Sequence, residues 1–173
     1  MITLEAISDN LPNDAAPMLL ELGNGESGFS GTAFGEGKLS MSEYLRITMR
    51  QAQSESLPDG WVPQTTFWIL EDGKAAGLVR MRHRLNDNLK IKGGHIGYYV
   101  RPSARRRGVA SAALGLALQE IARLGIHEVM PTTNPDNFGS IRVIEENGGA
   151  LTAQVTDPDE GSTINQYWIS LSG

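Results

Sequence analysis

The sequence contains no cysteine and only 3 histidines. The missing cysteines exclude a disulfide framework, a thiolate metal site and a cysteine nucleophile. The histidines, His83, His95 and His127, do not show the HxxxH-type spacing of a histidine-built metal centre. We therefore expect neither a bound metal nor a reaction that passes through an acylated cysteine.

Positive charge is also scarce. Lys and Arg number 15 against 20 Asp and Glu, which gives a formal net charge of −5 and a pI of about 5.2. Nonspecific nucleic-acid binding needs a basic face, so this composition argues against a nucleic-acid partner. No apolar run approaches the roughly 20 residues that span a bilayer, and MITLEAISDN lacks the early basic residues of a secretory signal. We expect one cytoplasmic domain over residues 1–173, with no membrane partner.

Several of the few arginines are concentrated in one segment, RPSARRRGVASAAL, at positions 101, 105, 106 and 107. Gly108 and Ala110 follow them and open an apolar segment with helical spacing. The first N–H groups of a helix have no intrahelical partner and suit a phosphate or pyrophosphate, and small residues let the anion approach the backbone. Neither GxxxxGK[ST] nor GxGxxG fits this turn, because Gly108-Val109-Ala110 has only one glycine in the required register. What remains is R-x-x-G-x-A, which we interpret as an anion-capturing turn.

Periodicity predicts an alternation of strands and helices along the chain. In the first 60 residues we expect an edge strand at ITLEAI, a helix ended by Gly23, a glycine-rich loop over 23–37 that is either a connector or a lid, and a helix from Ser40 or Ser42 to about Ser56. Later we expect a hairpin at Asp72-Gly73, a polar linker at 86–88, a strand over 93–100, a long helix from Gly108 to Gly125, a strand in HEVMPTT, a short helix in NFGSIRVIEENGG and closing strands in ALTAQV and TINQYWISL. This order predicts α/β layers with some antiparallel pairs.

The segments GGHIGYYVRPSARRRGVASAAL and VMPTTNPDNFGSIRVIEENGG together resemble the GNAT N-acetyltransferase superfamily. The first resembles its fourth strand and pyrophosphate loop, and the second resembles the next strand and helix with N-x-x-[SA]. GWVPQTTFWIL and RHRLNDNL resemble a subgroup of uncharacterised bacterial acetyltransferases. The resemblance implies an α/β (α+β) fold with a mixed, mostly antiparallel central sheet of about seven strands, splayed in a V and flanked by helices. It also implies an acyl-CoA core at 65–171 and a variable substrate-side part at 1–64.

By this resemblance the acyl donor is acetyl-CoA, and no metal is needed. The pyrophosphate would lie on the backbone N–H groups of the turn, and the pantetheine arm would pair with the main chain of Tyr99 and Val100 like an added strand. The implied contacts of the turn and the next helix are Arg105, Arg106, Arg107, Gly108, Val109, Ala110, Ser111, Asn137 and Ser140. Gly93, Gly94 and Gly97 fit the bulge that splays this strand from its neighbour.

The catalytic positions depart from the family pattern. Many relatives have a general-base Glu where HIGYYV has His95. A neutral imidazole suits that role near neutral pH, but a hydrogen-bonded structural histidine is an equal alternative. The position of the usual general-acid Tyr is occupied by Ile144. The thiolate would then leave unassisted, or take a proton from water or from Tyr98, Tyr99 or Tyr167, each of which is otherwise a packing residue.

The sequence therefore predicts an N-acetyltransferase that moves an acetyl group to an amine by direct attack in a ternary complex. A CoA-binding module with little or no catalysis is the alternative, favoured by Ile144 and the missing Glu. The acceptor, a small-molecule or peptide amine, stays open, and a homodimer is compatible with the fold. A second group of basic residues either lines a substrate site for anionic groups or alternately faces solvent on a strand: Arg80, Arg82, His83 and Arg84.

Overall fold

The structure, a computed structural model, describes residues 1–172, so the last position of the predicted domain 1–173 lies outside the described residues. The strands are β1 (Ile2–Ala6), β2 (Gly25–Glu26), β3 (Phe29–Ser30), β4 (Gln64–Glu71), β5 (Lys74–Arg82), β6 (Ile96–Val100), β7 (Glu128–Val129), β8 (Thr132–Thr133), β9 (Ala150–Thr156) and β10 (Thr163–Ser170). The α-helices are α1 (Ala15–Leu22), α2 (Met41–Arg50), α3 (Asp87–Ile91), α4 (Val109–Arg123) and α5 (Phe138–Glu146). Short 3₁₀ helices cover Ser54–Ser56 and Pro102–Ala104.

The strands that precede α4 form an antiparallel sheet in the order β1-β4-β5-β6 and a separate two-stranded hairpin, β2–β3. The central hairpin of the sheet turns at Asp72 and Gly73, which both have positive φ, 49° and 79°, and this confirms the Asp-Gly turn signal. β6 forms one edge of the sheet and pairs only with β5. Gly77 permits that pairing, since a Cβ there would lie 1.9 Å from the carbonyl oxygen of Tyr99.

A second antiparallel sheet is centred on β10, which pairs with β9 on one side and with β7 and β8 on the other. The predicted strand HEVMPTT is divided into β7 and β8 at Met130 and Pro131. Proline has no N–H for a ladder, which explains the interruption. The Pro131 carbonyl still accepts a hydrogen bond from the Tyr167 N–H at 3.1 Å, so the two short strands remain on the same edge.

Helices cover both faces of the first sheet and bury two apolar cores. α4 packs on β1, β5 and β6, with Leu114 and Ile121 fully buried, and α5 packs on α4. α1 and α2 cover the opposite face, where Met18 and Leu19 are fully buried. This helix-flanked, mostly antiparallel arrangement confirms the predicted fold class, with the strands divided between two four-stranded sheets and the β2–β3 hairpin. Within residues 1–172, no helix combines the length and apolar character needed to cross a bilayer.

Two segments differ from their predicted structure. A side-chain cap overrides the local pattern in the first, and a hairpin turn does so in the second. The segment at 86–88, predicted as a linker, begins α3, because the Asn86 side chain caps the Leu89 N–H at 2.9 Å. The glycine-rich loop 23–37 contains the β2–β3 hairpin.

The cap of α2 is confirmed at Ser40, which forms a capping box with Glu43. The helix ends earlier than predicted, at Arg50 and not near position 56. The carbonyl of the following residue, Gln51, accepts a hydrogen bond from the Gln64 N–H of β4 at 2.8 Å, so the chain turns toward the sheet there.

Candidate functional site

The two sheets meet at the start of β6 and separate toward its end. His95, just before β6, exchanges two hydrogen bonds with Met130: its N–H donates to the Met130 carbonyl at 2.8 Å, and its ring Nδ1 accepts from the Met130 N–H at 2.9 Å. Beyond this contact, no strand among the described residues pairs with the outer edge of β6. The sheets therefore open in a V whose apex is the His95–Met130 pair.

Gly94 allows the two sheets to approach this closely. Its φ is +61°, and a Cβ at this position would lie 1.9 Å from the Met130 carbonyl oxygen. The neighbouring Gly93 N–H donates to Thr132 Oγ1 at 2.8 Å, which adds a further link between the sheets. Two of the three glycines that the sequence associates with the splay thus lie at its apex, whereas Gly97 lies within β6, whose pairing with β5 contains no bulge.

The outer edge of β6 presents main-chain groups to the opening. The Arg101 N–H donates to the Ala76 carbonyl of the neighbouring chain at 2.8 Å, so by alternation the odd-numbered residues of β6 direct their N–H and C=O groups toward β5. The main-chain groups of Tyr98 and Val100 therefore face the opening, whereas those of Tyr99 do not. For the predicted pairing with a pantetheine arm, this geometry favours Tyr98 over Tyr99.

A groove of about 730 Å³, the long groove, follows this edge of β6 and passes the N-terminal ends of α4 and α5. Most of the residues predicted to contact the acyl donor line it: Tyr99, Val100, Arg105, Arg106, Gly108, Val109, Ala110, Ser111, Asn137 and Ser140. The exception is Arg107, whose Nη2 donates to Glu71 at 2.6 Å instead. The fold thus brings together two sequence motifs that the whole of α4 separates.

The backbone N–H groups from Arg106 to Ser111 are unusual donors in this groove. α4 begins without a side-chain cap, and none of these N–H groups donates to an acceptor in residues 1–172. Arg106 and Gly108 have positive φ, 62° and 77°, and left-handed residues of this kind direct successive N–H groups toward a common point where an anion can bind. Nothing lies within 4 Å of a Cβ built at Gly108, so the turn is open on the groove side.

The arginines around this turn are mostly paired with carboxylates. The ion pairs are Arg101–Glu21, Arg105–Glu26 and Arg107–Glu71. Arg106 forms no ion pair with any described residue. The positive corner suggested by the sequence is therefore largely neutralised, and the backbone N–H groups are the main anion donors. Sequence analysis missed Glu26, because a glycine-rich loop gives no signal that its hairpin will reach the groove.

The start of α5 forms the other wall of the long groove. Asn137 is the N-cap residue, and its Oδ1 accepts from the Ser140 N–H at 3.2 Å. The Tyr98 hydroxyl donates to the Ser140 carbonyl at 3.4 Å. Burial raises the pKa of Tyr98 to about 12, only partly offset by this hydrogen bond, so the phenol is protonated at neutral pH.

His95 lies outside the long groove and is buried. Its ring packs against Trp168, with the ring centroids 6.4 Å apart. Burial, aided by the nearby Arg82 charge, lowers the pKa of His95 to about 4. Because Nδ1 accepts from Met130, the neutral ring carries its proton on Nε2 and has no available lone pair. Of the two roles that the sequence left open for His95, these contacts favour the structural one.

Two further cavities adjoin the long groove across the V. The apex pocket, about 110 Å³, shares Tyr98 and Ser140 with the groove and has Ile144 in its wall. The arginine cavity, about 450 Å³, shares Arg80 and Arg82 with the apex pocket and is bounded by α2, β4, β5 and α3. The three cavities therefore have common walls from the turn at α4 to the far side of the first sheet.

The four basic residues between positions 80 and 84 do not all face the arginine cavity. Arg80 and Arg82 line the arginine cavity. His83 points elsewhere and forms a 2.7 Å hydrogen bond between its Nε2 and Thr65 Oγ1, and Arg84 is exposed. Sequence analysis identified these residues but could not decide which of them face a site, because polar and apolar residues occur at both the odd and the even positions of the strand.

The family model described as "Acetyltransferase (GNAT) domain" matches residues 12–150. A comparison with curated protein sequences found no match. Across the described part of the chain, no group of three or more His, Cys, Asp or Glu side chains is arranged to hold a metal ion.

Solved structures show the same fold at low sequence identity. RimJ of Mycobacterium smegmatis, in complex with CoA-disulfide, is 18% identical with a TM-score of 0.72, and the match covers 98% of this chain and 81% of that one. An acetyl transferase of Salmonella typhimurium that modifies the N-terminal serine of ribosomal protein L7/L12 is 17% identical, with a TM-score of 0.68 and coverage of 99% and 95%. The yncA protein of the same organism, with acetyl-CoA, is 17% identical, with a TM-score of 0.65 and coverage of 99% and 94%.

Proposed function

Because the chain belongs to the GNAT acetyltransferase family, we propose that it transfers the acetyl group of acetyl-CoA to an amine by direct attack in a ternary complex. The observation that carries this proposal is that the long groove, the apex pocket and the arginine cavity adjoin one another, each sharing lining residues with the next. An acyl donor and an amine that enter from opposite ends can be held together at the V, as direct transfer requires. The sequence has no cysteine to carry the acetyl group between them.

The long groove suits acetyl-CoA in chemistry as well as in extent. The N–H groups of residues 106–111 would hold the pyrophosphate, and the outer main-chain edge of β6 would pair with the pantetheine arm. Asn137 and Ser140 would contact that arm from α5. When bound, acetyl-CoA supplies an acetyl group activated as a thioester. Two proteins of the same fold were solved with CoA-disulfide or acetyl-CoA, which supports this assignment.

Tyr98 is the hydrogen-bond donor that we propose for the departing thiolate. Its side chain lines both the long groove and the apex pocket, so it lies where donor and acceptor would meet. With its pKa raised to about 12, the hydroxyl keeps its proton at neutral pH and can stabilise the thiolate by donating a hydrogen bond to it, while the thiolate, a weaker base than tyrosinate, takes its proton from solvent. The position of Ile144 in the apex pocket leaves Tyr98 as the phenol in that wall.

The amine itself receives no carboxylate base from the cavity walls, because neither the apex pocket nor the arginine cavity is lined by Asp or Glu. We propose that the amine enters in its neutral form and that its remaining proton passes to solvent as the C–N bond forms and the C–S bond breaks. General-base catalysis by His95 stays a prediction, to be tested by substitution.

The decisive test measures thiol release from acetyl-CoA with a panel of amines, next to calorimetric binding of acetyl-CoA. We expect binding in the absence of amine and thiol release only when an amine is added. Binding without thiol release for every amine would favour the alternative, a CoA-binding module without catalysis. Absence of acetyl-CoA binding would exclude both.

A further inference from the structure

Two arginine side chains meet at the boundary between the apex pocket and the arginine cavity, and neither has a carboxylate partner in residues 1–172. Arg80 donates from Nη1 to Ser30 Oγ at 2.7 Å and from Nη2 to the Gly31 carbonyl at 3.2 Å. Its guanidinium also lies over the Phe29 ring, with Cζ 4.1 Å from the ring centroid. These contacts are neutral, so they hold the side chain without cancelling its charge.

Arg82 lies two residues further along β5 and is held in the same way. Its Nε donates to Gln64 Oε1 at 3.2 Å, and its Nη1 donates to the carbonyls of Gly93 and Gly94 at 3.1 and 3.5 Å. Nε of Arg80 and Nη2 of Arg82 donate to no acceptor in the described chain, and neither atom is sealed from the cavities. Both guanidinium groups thus keep a donor for a ligand.

The surroundings of this pair are free of negative charge. The walls of the apex pocket and the arginine cavity contain no Asp or Glu, although acidic residues outnumber basic ones in the chain. The third cation in the apex pocket, Lys92, is paired with Asp157 and Glu160 at 3.4 and 2.9 Å. Burial lowers the pKa of Arg82 to about 10, with the Arg80 charge contributing, which still leaves it charged at neutral pH. Holding two like charges together is unfavourable unless an anion completes the site.

Resting on the proposed function, we infer that the acceptor is a small amine that carries a carboxylate, bound by Arg80 and Arg82. Planar guanidinium donors match carboxylate oxygens in geometry, and the neutral contacts of both arginines fix them in advance. A cavity of about 450 Å³ is in the size range of sites for small molecules. The same two charges disfavour the ammonium form of the bound amine, which assists a reaction that has no carboxylate base in its cavity.

The test compares L-amino acids with their carboxamides, which lack the carboxylate charge, and expresses each rate per neutral amine because the carboxamide also lowers the pKa of the α-amine. We expect kcat/KM for thiol release to be at least about 10-fold higher for the acid than for the amide, the range for a hydrogen bond to a charged group. The preference should fall to within about 3-fold in Arg80→Gln and Arg82→Gln. Arg84→Gln, which removes an exposed arginine from the same segment, should keep the preference of the unmodified protein.

Three further measurements make the outcomes distinct. Calorimetric binding of acetyl-CoA should be unchanged in the variants, each variant should unfold in one cooperative transition on heating, and Arg82→Lys should restore part of the preference if charge is what matters. Equal rates for acids and amides would overturn the inference and leave the proposed acetyltransferase function intact. Acetylation of peptides that begin with aspartate, without acetylation of any amino acid, would overturn the assignment to a small acceptor.

If no amine supports thiol release, binding of the same acid and amide pairs to the CoA-loaded protein tests the inference independently. Tighter binding of the acid, lost in Arg82→Gln, would support the anion site even though the proposed activity had failed. Equal binding of the acid and the amide would overturn the inference of an anion site.

Discussion

The long groove and the arginine cavity handle positive charge in opposite ways. Around the groove, the arginines at 101, 105 and 107 are paired with Glu21, Glu26 and Glu71, and the donors left for a ligand are backbone N–H groups. In the cavity, Arg80 and Arg82 meet only neutral groups. The backbone is rigid and common to all residues, so it suits a constant ligand such as a pyrophosphate. Side-chain charge without a partner suits a ligand that must be selected.

Both regions depend on the same apex, so disturbing it gives the largest effect that we expect. Below pH 6.5 an unfolded histidine takes up a proton, but His95 in the folded chain resists until about pH 4 because it is buried and bonded to Met130. The contribution of His95 to the free energy of unfolding is therefore constant above pH 6.5 and falls by about 3 kcal/mol between pH 6.5 and pH 4. Urea unfolding of the wild type and His95→Asn at pH 7 and pH 4.5 measures this difference.

His95→Asn keeps an acceptor for the Met130 N–H and cannot titrate, so it should lack that part of the pH dependence. If the wild type and the variant lose the same stability on acidification, the conclusion that His95 is buried and neutral in the folded chain is wrong. The same variant also tests the base hypothesis: an unchanged rate of thiol release at every pH would remove His95 from the reaction.

The second prediction concerns the backbone donors of the groove. A leucine at position 108 would place its side chain where acetyl-CoA would bind, and it would be strained in the left-handed conformation of this residue. Gly108→Leu should therefore weaken acetyl-CoA binding at least about 100-fold. Calorimetry measures the affinity. Gly125→Leu is the matched control, because Gly125 has a similar φ of +81° and equally open surroundings at the other end of α4. Similar losses in both variants would show strain and not a ligand contact.

The junction of the two regions is tested with Tyr98. Tyr98→Phe should lower kcat about 30-fold, the effect of losing one hydrogen bond to the charged thiolate, and leave the affinity for acetyl-CoA unchanged. Tyr99→Phe is the control, because the Tyr99 ring is buried and lines the long groove but does not line the apex pocket. A Tyr98→Phe variant with full kcat would show that the thiolate leaves without help from Tyr98.

The smallest effect concerns the paired arginines of the groove. Glu26→Gln releases Arg105 and removes a negative charge from the groove wall, so acetyl-CoA should bind about 3-fold more tightly at low salt. The gain should disappear at high ionic strength. Glu120→Gln breaks the comparable Arg123 pair on α4, outside the groove wall, and should change nothing. An equal gain in both would mean that net charge, and not the local pair, sets the affinity.

Much of the site around the α4 turn was predictable from the sequence. Gly108, Ala110 and the neighbouring residues form a contiguous motif whose backbone geometry is local, and the predicted contacts other than Arg107 line one groove. The pairing of Arg107 with Glu71 and of Arg105 with Glu26 was not predictable, because it depends on which distant carboxylates the fold brings close.

The sequence alone determined the fold class, the hairpin at Asp72-Gly73 and the open turn at Gly108, because each rests on short-range periodicity or on the backbone freedom of glycine. Only the tertiary structure decided which arginines keep their charge for a ligand. It also decided that His95 uses Nδ1 to join the two sheets and that Tyr98 lies at the meeting point of the cavities. Those properties depend on burial and on partners far apart in the chain, and neither is encoded in local sequence spacing.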